Sequence, residues 1–201
     1  MSEGSGNVEK RKTVFFATSN IGKVEEAERT LREYGILLLH LPMKLVEIQS
    51  DNLEEIAVFS AQKAWENQGK PLFVEDAGLF IKELNGFPGP YSSYVFKTIS
   101  NEGILKLMSD KGNRAAYFQS VIAFCNGKST TTFKGEVRGK ISKEIRGEHG
   151  FGFDPIFIPE EGDGRTFGEM DISEKTAISH RTKALKKFAE WIKSLDYSKF
   201  I

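Results

Sequence analysis

Glu75 and Asp76 follow the apolar triplet Leu72, Phe73 and Val74 and precede Ala77 and Gly78. Carboxylates at the C-terminal end of a buried strand in an α/β sheet point into the crevice where ligands bind. Adjacent residues of an extended chain face opposite ways, so one acid faces the crevice and the other needs a partner elsewhere. Glu47, shortly after the second predicted strand, can join from the neighbouring edge. Two or three such oxygens completed by substrate phosphates are how proteins hold Mg2+. The alternative is solvated acids at strand ends.

Three further constellations match that chemistry. Thr18, Ser19, Asn20, Ile21, Gly22 and Lys23 lie between a predicted strand and helix. A helix start offers unbonded N–H groups and a positive dipole end, Gly22 would let a phosphate approach the backbone, and Lys23 would add charge. The glycine spacing of a Walker A loop is absent. A polar helix cap with a surface lysine remains open for this segment. Ser179, His180 and Arg181 open the last predicted helix, with Lys175 just upstream. Cations are disfavoured at a helix start, so an anion should offset them, either a ligand or the nearby Glu169, Asp171 and Glu174. Phe151, Gly152, Phe153 and Asp154 place two rings about a glycine. They read either as a flat slot for a purine with a carboxylate for its edge, or as core aromatics at a bend.

These groups need a scaffold to bring them together. Residues 13–16 read as a strand, and Val24, Ala27, Leu31 and Tyr34 follow at helical spacing up to Gly35. Residues 36–41 are the next strand, completing a parallel crossover unit. Asp51 and Glu54 have capping-box spacing and open a helix burying Leu53, Ile56, Ala57, Ala61 and Ala64. Residues 72–74 form a buried strand. Residues 85–90 are a loop because of their Pro and Gly density, and helical spacing resumes at 103–108. Residues 115–125 and 128–137 read as a hairpin joined by Asn126 and Gly127. A short strand at 156–158 precedes a final helix from about Ser179, with Ala184, Phe188 and Ile192 inward. The fold class is α/β, with an antiparallel hairpin attached to a crossover core.

Composition narrows the function classes. The 201 residues are 39% apolar and carry sixteen Phe, enough for a packed core. Net charge is zero, which argues against non-specific nucleic-acid binding. The single cysteine, Cys125, lies in an apolar run and reads as a small buried hydrophobe. It allows no internal disulfide and fits a reducing compartment. Three His and one Cys do not make a zinc site. No apolar stretch reaches the roughly 18 residues of a membrane span. Residues 1–12 read as a flexible lead-in without a signal-peptide core, leaving 13–201 as one domain with a cytoplasmic location.

Six segments in this order resemble the inosine triphosphate pyrophosphatase family, from about Thr13 to Trp191: residues 18–23, 47–49, 75–79, 84–92 and 151–157, then Glu174 and Lys175 with Ser179, His180 and Arg181. The resemblance implies an elongated mixed sheet flanked by helices, two lobes with a central cleft, and a homodimer. It implies Mg2+-dependent hydrolysis of ITP, dITP and XTP to the monophosphate and pyrophosphate. Residues 18–23 would hold the triphosphate. Glu47 and Asp76 would hold the metal, with Asp76 also the proton acceptor. Phe151 to Asp154, Lys175, His180 and Arg181 would bind the nucleotide, and Lys63 is a further phosphate candidate. Where the family often has Asp-Asp-Ser-Gly, this chain has Glu75, Asp76, Ala77 and Gly78, so position 77 offers substrate only its backbone N–H. A house-cleaning pyrophosphatase of the Maf type, acting on modified pyrimidine nucleotides, is the main alternative enzyme.

Overall fold

The structure, a computed structural model, describes residues 12–195. Most of the predicted lead-in, residues 1–11, lies outside the described residues. Lys12 does not. Its ammonium donates to the carbonyls of Ile192, Lys193 and Leu195 at 2.8–2.9 Å, satisfying carbonyls that the last helix leaves without partners.

The chain begins with β1 (Thr13–Thr18), α1 (Ile21–Glu33) and β2 (Leu37–Pro42), and β1 and β2 pair in parallel as the crossover pattern requires. Next come α2 (Leu53–Gln68) and β3 (Leu72–Ile81), which runs parallel to β1 on its other side. A two-residue strand β4 (Pro88–Gly89) pairs with β3, and α3 (Ser92–Leu107) follows. The antiparallel strands β5 (Ala115–Cys125) and β6 (Thr130–Ile141), then β7 (Phe157–Pro159), complete one seven-stranded sheet of order β2-β1-β3-β5-β6-β7. The helices α4 (Ile172–Ile178) and α5 (His180–Ser194) close the described chain.

Helices cover both faces of the sheet. Val24, Ala27 and Leu31 of α1 pack with Leu185, Phe188 and Ile192 of α5 over Phe16, Phe73 and Phe124. On the other face Leu53, Ala57, Ala61 and Ala64 of α2 pack on Ala17, Val74, Val121 and Ala123. Small α2 side chains allow a close approach to the sheet. A third cluster joins α3, the hairpin and the 153–170 segment through Val95, Ile104, Phe118, Phe157 and Phe167.

Four local expectations are corrected. The cap of α2 is Asn52, whose side chain accepts from the Glu54 N–H at 2.9 Å, not Asp51. The capping boxes sit instead at Thr166 with Glu169 and at Asp171 with Glu174. Helix α3 begins eleven residues before the periodicity was visible, because a left-handed Ser100 (φ 54°) breaks its phase. The β5–β6 loop spans residues 126–129, with Asn126 Oδ1 accepting from Lys128 and Ser129 N–H, so it is longer than a two-residue Asn-Gly turn. Finally, β3 does not stop at Val74 but continues through both acids to Ile81, and β4 forms inside the expected loop. Gly78 permits this: a Cβ there would lie 2.3 Å from the Gly89 carbonyl oxygen.

Candidate active site

Phe16 of β1 lies opposite Phe73 of β3, so β1 ends level with Glu75. Strand β2 ends beside it at Pro42, whereas β3 runs on, supported by β5 alone beyond that point except for the short β4 bridge. The acids therefore stand where their neighbours stop. That is the crevice at the C-terminal ends of parallel strands, even though β3 itself continues.

A cleft of ≈ 780 Å³ opens there. Residues 18–23, then Glu47, Asp76 and Ala77, then Phe151 to Asp154 with Lys175, His180 and Arg181 all line it. Every predicted site residue except Lys63 lines it. Lys63 pairs with Glu66 at 2.7 Å on the surface of α2.

The two acids separate as their alternation requires. Glu75 is 3% exposed and faces α1 and α5. It meets Lys23 Nζ at 2.9 Å and Arg181 Nε at 3.2 Å, and accepts from the Ser120 hydroxyl. Burial alone would raise its pKa, but Arg181 and Lys23 outweigh that and hold it well below the usual carboxylate range. Asp76 is half-buried and, among the described residues, has no cation within ion-pair distance. Burial, reinforced by Glu75 and Glu47, pushes it up to about 7 against the pull of Lys23. Its Oδ1 accepts from the Ala77 N–H at 2.9 Å. The backbone donor expected to reach substrate at position 77 is thus already bonded to Asp76.

The cations show what sequence reasoning missed. Lys175 donates to Glu26 at 2.7 Å and to Asp154 at 2.8 Å, and Arg181 donates to Glu26 at 2.7 Å. All four side chains are no more than 3% exposed. The anions that offset the cationic start of α5 are therefore Glu26 and Glu75. The candidates closer in sequence pair elsewhere, Glu174 with Arg165 and Glu169 with Arg146. Glu26 sits at the helical spacing of Val24, Ala27 and Thr30, on the buried face of α1. An acid on an apolar helix face was the available signal.

His180 is buried and stacks on Phe118, with ring centroids 4.6 Å apart. Burial, with Arg181 adjacent, lowers its pKa to about 3, so the ring is neutral. Ser179 ends α4 and caps α5 by accepting from the Thr182 N–H. This corner aims Lys175 and Arg181 at the same carboxylate. It packs directly on β6 at Gly135, where a Cβ would lie 2.1 Å from the His180 carbonyl oxygen.

The two rings expected to form one slot are split. Phe153 is 3% exposed and meets Phe96 edge-on in the core. Phe151 stays at the cleft, its ring 4.6 Å from Lys175 Nζ and 5.2 Å from the Arg181 guanidinium carbon. Asp154 pins this loop by accepting from the Phe151 N–H at 2.8 Å. Gly22 matters to this ring: a Cβ there would lie 2.9 Å from Phe151 Cδ1. At the start of α1, Asn20 Oδ1 accepts from the Lys23 N–H. The Ile21 and Gly22 N–H groups are among those a first turn leaves unbonded.

The chain resembles known proteins over most of its length. The chain is 57% identical to a Methanopyrus kandleri protein named dITP/XTP pyrophosphatase over 182 residues, covering 90% of this chain and 96% of the relative. It is 51% identical to a Thermococcus kodakarensis protein of the same name, covering 89% and 96%. Among solved structures, a HAM1 protein from Coxiella burnetii superposes with a TM-score of 0.81 at 30% identity, covering 92% of this chain and all of that one. The Staphylococcus aureus Ham1 protein gives 0.77 at 28% identity, covering 90% and 98%. The profile of the Ham1 family matches residues 14–191, and the chain belongs to that family.

Proposed function

We propose that this protein hydrolyses non-standard purine nucleoside triphosphates, namely ITP, dITP and XTP, to the monophosphate and pyrophosphate with the help of Mg2+. The observation that carries the reading is convergence. The helix start at residues 18–23, the acids Glu47 and Asp76, and the aromatic and basic groups at 151 and 175–181 share one cleft. The chain is also about half identical to proteins named for this activity.

The acids fit a divalent ion that relies on its substrate for ligands. Asp76 and Glu47 line the same cleft, and Glu47 adds to the cost of ionising Asp76, while Glu75 is already paired with Lys23 and Arg181. Among the described residues no cluster of three or more His, Cys, Asp or Glu could form an all-protein cage. Mg2+ commonly takes one or two carboxylates and leaves its remaining positions to water and phosphate. When bound, it supplies neutralisation of charge on the phosphate oxygens.

The residues supply the rest. Asp76, poised near neutrality, accepts the proton of the water that attacks the α-phosphorus. The start of α1 and Lys23, held in place by Glu75, receive the phosphates. Phe151 offers its ring to the base, and the neutral His180 and the Arg181 guanidinium line the same end of the cleft. A donor aimed at the 6-oxo group is left unpaired by adenine, which selects against ATP. The reading includes a cytoplasmic location and a homodimer, and light scattering on the purified protein tests the dimer.

The deciding experiment is pyrophosphate release from ITP, XTP, dITP, GTP and ATP with and without Mg2+. Release from the first three that depends on the ion is expected. No release, or a preference for modified pyrimidine triphosphates, refutes the assignment.

A further inference from the structure

The charges around the cleft do not balance in the way its proposed substrate needs. Lys23, Lys175 and Arg181 are each in contact with a buried carboxylate. Against these three cations stand five acids: Glu26, Glu75 and Asp154 in the network, and Glu47 and Asp76 at the metal position. That set alone would repel a polyphosphate, and one divalent ion would only cancel the deficit. Lys23 can contact a phosphate while paired with Glu75, but like Lys175 and Arg181 it is already neutralised and adds no net charge to the cleft.

Two more cations line the cleft, and neither was singled out by its sequence context. Lys44 lies in the segment between β2 and α2, close in sequence to Leu45 and Glu47, which also face the cleft. Lys97 lies on α3 with Ser93 and Phe96, spaced so that all three share the helix face lining the cleft. That helix is tied to the base end of the site, where Asn101 donates to the Gly152 carbonyl at 3.3 Å. Both lysines are exposed. Among the described residues neither has a carboxylate within ion-pair distance.

We propose that Lys44 and Lys97 recognise the terminal phosphates of the substrate, so that these two cleft lysines set the preference for triphosphates over shorter phosphate chains. The proposal rests on the nucleotide reading for the identity of the substrate but not for the presence of a polyphosphate site. An ammonium at a solvated rim can close on a phosphate with little desolvation cost, whereas freeing Lys175 or Arg181 would leave buried carboxylates unpaired. The division of labour is physical. Buried cations, locked by acids, shape the base end, and solvated ones supply the attraction for the mobile, highly charged tail.

The test uses Lys44→Gln, Lys97→Gln, the double variant and the Lys→Arg pair, in the full-length protein. Both side chains are exposed, so the substitutions leave the core untouched, and circular dichroism checks the fold. Each Gln variant is expected to raise KM for XTP about tenfold with kcat nearly unchanged, a loss typical of one charge-assisted contact. The double variant should lose roughly the product of the two. Affinity for the monophosphate should not move, and Arg should restore KM. Calorimetric titration of inorganic tripolyphosphate with Mg2+ should show the same loss without any base present. If wild type and double variant bind tripolyphosphate and XTP equally, the proposal is overturned while the activity assignment stands. If wild type releases no pyrophosphate from XTP but binds tripolyphosphate through these lysines, the activity assignment fails and the phosphate site remains.

Discussion

Glu26→Gln is the sharpest probe of the buried network, because a single acid holds both Lys175 and Arg181 at 2.7 Å. Glutamine keeps the shape but removes the charge and turns N–H donors toward two cations. Breaking a buried ion pair by removing one partner costs roughly 3–5 kcal/mol. Here Lys175 retains Asp154 and Arg181 retains Glu75, which places the expected loss near the lower end. Titration leads to the same size. Burial opposes ionisation of Glu26, but Arg181 and Lys175 overcome it and bring its pKa from 4.5 to about 2. A carboxyl shifted that far contributes about 3 kcal/mol of stability at neutral pH. For a chain of this size such a loss lowers Tm by roughly 6–12 °C.

The sign of the pH dependence is fixed by the depressed value. The stabilisation is fully present above the unfolded pKa and is lost as pH falls through the folded one. Urea unfolding followed by circular dichroism should therefore show a constant gap between wild type and Glu26→Gln from pH 7 to about 5. The gap should narrow below 4.5 and fall to less than half by about pH 3. A loss under about 1 kcal/mol at pH 7, or a gap that does not narrow in acid, would refute the claim that Glu26 neutralises the two cations.

Other perturbations separate chemistry from scaffold. Asp76→Asn should lower kcat by at least about a hundredfold, with nucleotide binding measured by calorimetry largely retained. Because burial raises the Asp76 pKa to about 7, the folded state holds an extra proton between its ordinary value and 7. Asp76→Asn should consequently stabilise the fold at pH 8 in the absence of metal, with the advantage disappearing below about pH 4 in the same urea assay. Phe151→Ala should weaken nucleotide binding by about 1–3 kcal/mol through lost stacking, leaving tripolyphosphate affinity unchanged. Gly22→Ala places a methyl 2.9 Å from Phe151 Cδ1 and should raise KM about fivefold. Its thermal stability should hold, because alanine favours the helix.

Most of the residues that line the cleft were legible in the sequence, but several of their contacts were not. Gly22 reads as a glycine beside a phosphate and proves to be the surface against which Phe151 lies. Phe153 reads as half of a base slot and proves to be core, because the left-handed Gly152 (φ 64°) turns the chain between the two rings. Asp154 reads as a partner for the base, and its Oδ2 also pins the Phe151 amide and Lys175, which the sequence did not show. Lys44 and Lys97 carry no motif, since an exposed lysine in a segment or on a helix looks the same wherever the chain folds.

The sequence by itself determined the opening strand–helix–strand unit and its direction, α2, the hairpin and the last helix, but not α4, β4 or the full length of β3 and α3. Hydrophobic period, glycine stops and the strand–helix–strand order depend on contacts within a few turns of chain, and a parallel pair joined by a helix leaves a crevice at its strand ends. Only the tertiary structure decided which charge meets which. Lys175 and Glu26 are 149 residues apart, Arg181 and Glu26 155 apart, and the pairs form only when α4 and α5, which carry the cations, pack against α1. Buried charges must be matched by whatever side chain lies across the interface, not by the nearest one along the chain. That is why Glu169, Asp171 and Glu174 were plausible partners in sequence and Glu26 is the real one.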